Sequence, residues 1–145
     1  MREIKRSALV PFSPAQMFAL VAEIERYPEF VPWVARAQVL SRTDTEVMGR
    51  LTMNRAGIRE TFTTRNVLDS PGRMELHLVD GPFKMLEGTW TFEPLGECGT
   101  KIGLTMQFEF ANPVTSLLLS RSFEKSCGEL VDAFVNRARM IYSTL

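Results

Sequence analysis

The chain has 145 residues, 45% of them hydrophobic, and its 17 Lys and Arg are matched by 17 Asp and Glu. That length predicts a single domain over residues 1–145 whose core needs no staple, since such chains bury roughly two-thirds of their unfolded surface. Zero net charge argues against a general nucleic-acid binder and against a DNA partner. Two cysteines, Cys98 and Cys127, are too few for a disulfide framework and lack metal-type spacing.

The first residues, MREIKRSALVPF, lack the apolar run of a secretory signal, and no stretch approaches the roughly 20 apolar residues of a membrane span. The expected location is the cytoplasm, with at most transient contact with a membrane surface. Residues 3–12 alternate, with Ile4, Ala8, Val10 and Phe12 on one side, and read as a strand. Ser13-Pro14-Ala15-Gln16 is a helix start: a capping Ser, Pro at the first helical position and Gln three residues past the cap. Met17, Phe18, Leu20, Val21 and Ile24 give that helix its apolar stripe. In Tyr27–Trp33, prolines at 28 and 32 permit only a short helix or a bent turn.

From about 36 to 111 the pattern is strand alternation broken at Thr43-Asp44, Ala56-Gly57, Ser70-Pro71-Gly72, Asp80-Gly81-Pro82 and Gly96–Gly99. Six strands in a meander result. One face holds Val47, Gly49, Leu51 and Met53, then Met74, Leu76 and Leu78, then Ile102, Leu104, Met106, Phe108 and Phe110. The other carries Arg50 and Thr52, then Arg73, Glu75 and His77, then Thr105, Gln107 and Glu109, as a sheet with one wet face requires. Asn112-Pro113 opens a helix to about Thr144, with Cys127, Leu130, Val131, Phe134, Ala138 and Ile141 in one stripe. Gly128, mid-helix, marks either close approach to another element or a tolerated weak spot.

The order is therefore β-α-α-β6-α, an α+β fold in which a curved, seven-stranded antiparallel sheet grips the C-terminal helix. A wide sheet does not collapse fully onto one helix, and the gap is a natural pocket. Phe30, Val31 and Trp33 form either its lid or plain core plugs. Trp90 points inward with Leu86, Gly88 and Phe92, its indole N–H free for a carbonyl headgroup or met by an internal acceptor. Met53, Met74 and Met106, beside Phe62 and Phe108, either adapt to an apolar ligand or fill the core. Glu60 shares the face of Ile58 and Phe62; it contacts a headgroup, or a register change near Gly57 turns it to water. His77, the one histidine, falls on the wet face, and no metal site, nucleophile motif or phosphate loop appears.

The element order, with Tyr27-Pro28-Glu29-Phe30-Val31-Pro32-Trp33 and Asp80-Gly81-Pro82-Phe83-Lys84-Met85-Leu86-Glu87-Gly88-Thr89-Trp90, resembles the START-like or Bet v 1-like superfamily. Within it, the chain is similar to the polyketide cyclase/dehydrase group, which includes coenzyme Q-binding proteins and bacterial ribosome-association toxins. Val34 stands where many relatives have Cys, so no thiol role is expected there. The resemblance implies a helix-grip fold and either of two roles. The first is non-catalytic binding of ubiquinone or a similar lipid as carrier or chaperone in respiration, with no required cofactor. The second is docking on the large ribosomal subunit to block subunit joining, for which Arg50, Arg59, Arg65 and Arg73 would form a basic stripe toward RNA phosphates. A cyclase or dehydratase should hold acid–base groups in the pocket, where only Glu60 qualifies.

Overall fold

The computed structural model describes residues 2–55 and 57–142; Ala56 of the expected Ala56-Gly57 turn, and the helix end near Thr144, lie outside the described residues. In chain order come β1 (Arg2–Val10), α1 (Pro14–Ala22), a 3-10 helix (Ile24–Glu29), β2 (Val34–Arg42), β3 (Glu46–Arg55) and β4 (Ile58–Asp69). Then follow β5 (Arg73–Asp80), β6 (Phe83–Leu95), β7 (Gly99–Phe110) and α2 (Pro113–Tyr142). The order is the expected one. The second helix is short and tight because Pro28 lies inside it and removes a backbone donor.

Local chemistry explains the helix starts. The Ser13 hydroxyl accepts from the Gln16 N–H at 3.1 Å, and the Gln16 side chain accepts from the Ser13 N–H at 2.9 Å, a reciprocal capping box. Asn112 Oδ1 accepts from the Val114 N–H at 2.8 Å and opens α2.

All seven strands form one antiparallel sheet in the order β1-β7-β6-β5-β4-β3-β2. β1 closes onto β7, with Ile4 opposite Met106 and Val10 opposite Thr100. α2 leans on β1 and β7. The Arg6 guanidinium of β1 lies over Gly128, 3.1 Å from where a Cβ would stand. Gly128 marks a close approach. Because α2 sits to one side, Ile102, Leu104 and Phe108 of β7 are buried, whereas Leu51 of β3 and Leu76 and Leu78 of β5 are half-buried.

The core runs from Met17 and Val21 of α1 through Trp90 and Phe92 of β6 to Phe134 of α2, all at most 1% exposed. The helix stripe extends further toward the start of α2 than expected, through Leu119 and Phe123. At its other end Ile141 is 40% exposed, a correction to the predicted stripe. Tyr142 makes the contact instead, donating to the Gln16 C=O at 3.1 Å and packing on Phe12. Thr52, expected on the wet face, is buried; its outward hydroxyl pairs with Thr61 across the strands at 3.1 Å.

Candidate functional site

The lateral placement of α2 leaves a space between it and β3–β6, a cavity of about 60 Å³. Its floor is the inner sheet face: Gly49 and Leu51, Phe62, Thr64 and Asn66, Leu76, Leu86 and Trp90, and Met106. Its roof is Phe123, Cys127 and Leu130 of α2, with Ile24, Tyr27 and Trp33 closing one end. Gly49 has no side chain because Ile24 fills that place; a Cβ there would lie 2.8 Å from Ile24 Cδ1.

The wall is apolar except at two adjacent inward positions of β4. Thr64 and Asn66 are 8% and 4% exposed, and the Thr64 hydroxyl donates to Asn66 Oδ1 at 2.8 Å. The Asn66 NH2 group and the indole N–H of Trp90, another wall residue, make no hydrogen bond to the described residues, and neither is sealed away from open space. Two such donors on one apolar wall suit a molecule that is mostly hydrocarbon and carries acceptor oxygens. The titratable groups on the wall are neutral: burial pushes the Cys127 thiol and the Tyr27 phenol far up. The Tyr27 hydroxyl donates to the Val21 C=O.

Ion pairs tie α2 down around this space. Arg55, at the end of β3, donates to Glu129 Oε2 at 3.0 Å and to Ser126 Oγ at 2.7 Å. Hydrogen bonding to Arg55 holds the Glu129 carboxyl below its usual range, so the small stabilisation it adds is present above that range and fades on acidification. Arg137 bonds Glu29 at 2.8 Å and lies 5.0 Å over the Phe30 ring, joining α2 to the 3-10 helix.

Four of the ten residues named from sequence meet in the cavity wall: Trp33, Phe62, Trp90 and Met106. The other six lie off it. Val31 is fully buried in the core, and Phe30 packs on Tyr27 and Phe134 and faces outward to Arg137. Met53 is buried at the end of β3, where the Asn54 N–H holds the Trp33 C=O at 2.9 Å. Met74 is buried opposite Trp90. Phe108 belongs to an aromatic cluster with Phe83, Phe110 and Phe123. The register change considered near Gly57 does not occur. Pairing runs unbroken from Glu46↔Val67 to Arg55↔Ile58, so Glu60 keeps its inward register, half-buried and away from the cavity wall.

On the outer face, Arg50 lies opposite Gln38 and Thr63, Arg59 opposite Asn54, and Arg65 opposite His77. Arg36 joins them, opposite Thr52. Arg73 stands apart at the far end of β5, with Glu75 at 3.7 Å. Arg65 has Glu46 at 3.4 Å. His77 is half-buried, and no group of described residues is arranged to hold a metal ion. No helix among the described residues is long and apolar enough to cross a membrane.

A curved sheet gripping one long helix over an apolar cavity is a fold of START type. A START superfamily protein from Mycobacterium smegmatis superposes with a TM-score of 0.81 at 19% identity, over 96% of this chain and 98% of that one. An aromatase/cyclase from Streptomyces superposes at 0.84 and 17%, over 99% and 98%. The chain belongs to the polyketide cyclase/dehydrase and lipid transport family, whose model matches residues 10–135. It is 40% identical to the ribosome association toxin RatA of Vibrio cholerae over 98% of this chain and 99% of that one. It is 25% identical to the mitochondrial coenzyme Q-binding protein of Schizosaccharomyces pombe, over 94% and 86%.

Proposed function

We propose that this protein binds, without transforming, an apolar small molecule of the isoprenoid-quinone class, and acts as its carrier or chaperone. The observation that carries the reading is an apolar wall with one polar spot, Thr64 and Asn66, where the Asn66 NH2 group makes no hydrogen bond to the described residues and Trp90 stands on the same wall. A quinone presents two carbonyl acceptors and a hydrocarbon tail. The wall holds no carboxylate, histidine or lysine, and its thiol and phenol are uncharged, which supports binding over acid–base chemistry. The name of the fission-yeast relative supports the same class. About 60 Å³ has room for about two water molecules, so the ligand enters by displacing side chains. Met106 is flexible, and Leu51 and Leu76 are half-exposed on the open side.

Asn66→Leu should weaken a short-tailed ubiquinone roughly tenfold, the worth of one hydrogen bond, while leaving affinity for a tail-only isoprenoid alcohol unchanged. Equal loss for both ligands, or none for the quinone, would remove Asn66 as the headgroup contact. Titration by quenching of Trp33 and Trp90, the only two tryptophans and both on the wall, reads the binding.

A second reading, ribosome association, is favoured by the 40% identical relatives and by the outer face, where Arg36, Arg50, Arg59 and Arg65 share the β2–β4 surface. Arg59→Glu with Arg65→Glu should then abolish co-sedimentation with large ribosomal subunits, and added salt should weaken the unmodified protein steeply. Unmodified protein that stays out of the ribosomal fractions at low salt would exclude this role.

A further inference from the structure

We propose that the first turns of α2 form a docking element for an anionic phospholipid bilayer. Val114, Leu117 and Leu118 are 64%, 85% and 61% exposed, and Leu117 is the most exposed large hydrophobic side chain among the described residues. They fall at i, i+3 and i+4, one face of the helix, and that face continues into Arg121 and Lys125, both exposed. Leu119, next in sequence to Leu118, is buried, so the helix is apolar both inward and outward at this level.

Charge around the patch selects the partner. The groove beside it is lined by Lys5 and Arg6 of β1 and by Arg121 and Lys125 of α2, with Glu3 and Glu124 the only carboxylates. Glu124 is paired with Arg2 at 2.6 Å, and Glu3 lies 3.8 Å from Lys5. Arg121 and Lys125 form no ion pair at contact distance among the described residues, although Lys125 lies near enough to Glu129 to help hold that carboxyl low. On a chain of zero net charge this is a local basic excess. Apolar side chains ringed by cations match a bilayer, whose acyl region takes the leucines and whose acidic headgroups take the Lys and Arg. RNA would engage the cations and leave the leucines in water. Phe123, on the cavity roof, lies six residues beyond Leu117, about 9 Å along the helix axis. A docked helix would hold the apolar cavity beside the membrane.

Flotation with vesicles of phosphatidylcholine containing phosphatidylglycerol, free of quinone, tests the docking apart from the cavity. The protein should float with these vesicles, remain largely behind with pure phosphatidylcholine, and dissociate as salt rises. Leu117→Asn with Leu118→Asn should weaken flotation at least about tenfold with an unchanged melting temperature, because both side chains are exposed. Arg121→Gln with Lys125→Gln should remove the preference for phosphatidylglycerol. No flotation of the unmodified protein, or leucine variants that float equally well, would overturn the proposal. So would leucine variants that lose self-association in gel filtration, or retention on RNA, in place of vesicle binding.

Discussion

Replacing Phe134 with Ala should destabilise the protein by about 3–5 kcal/mol, the range for removing a large buried ring. Phe134 is 0% exposed and stands where every inner layer meets. Its ring lies 5.2 Å from that of Tyr27, 5.3 Å from Phe30 and 5.3 Å from Trp90, all edge to face. These partners belong to the 3-10 helix, the segment after it and β6, which are fixed independently and cannot close over the void. The edge-to-face contacts add to the transfer term. Phe134→Leu, which leaves most of the volume filled, should cost less than half as much. Urea denaturation followed by far-UV circular dichroism gives both values. A loss under about 1 kcal/mol for the Ala variant would mean that this ring does not anchor α2.

Affinity for ubiquinones should rise by at least about tenfold per isoprene unit until the cavity has opened to its limit, and then level off. Each buried methylene contributes about 0.8 kcal/mol, so a five-carbon unit gains enough to exceed tenfold even after ordering and displacement costs. The levelling point measures how far Met106, Leu51 and Leu76 can move, because the resting cavity of about 60 Å³ does not hold one full unit beside a ring. Arg55→Ala, which releases α2 from the end of β3, should speed both association and dissociation, since it removes the bonds to Ser126 and Glu129. Stopped-flow tryptophan quenching reads the rates. A series without saturable quenching at any tail length would end the quinone reading.

Much of the fold is legible from residues 36–111, because strand alternation and turn residues act over only a few positions. Each of the five predicted breaks separates two strands. The same locality made the capping box at Ser13–Gln16 and the α2 start at Asn112 readable. The inner-face parity of Met53, Met74, Met106 and Phe108 was also readable, since side chains alternate with period two.

Which of those inward residues border open space was not readable. That depends on where α2 lies across the sheet, and it lies against β1 and β7. Met74 and Phe108 are therefore packed over, while Leu51 and Leu76 border the gap. Thr64 and Asn66 look in sequence like ordinary polar strand residues. Only the pairing of β4 with Gly49 and Leu76 turns them into the polar spot of an apolar wall. Arg36 joins Arg50 on the outer face through β2–β3 pairing after a register shift, and Arg55 meets Glu129 across 74 residues of chain. The sequence by itself determined the elements and their inner and outer faces, because those arise from neighbours within one or two turns. The tertiary structure decided the cavity, its two free donors and the ties that hold its roof, because each joins residues brought together only by the closure of β1 onto β7 and the seating of α2.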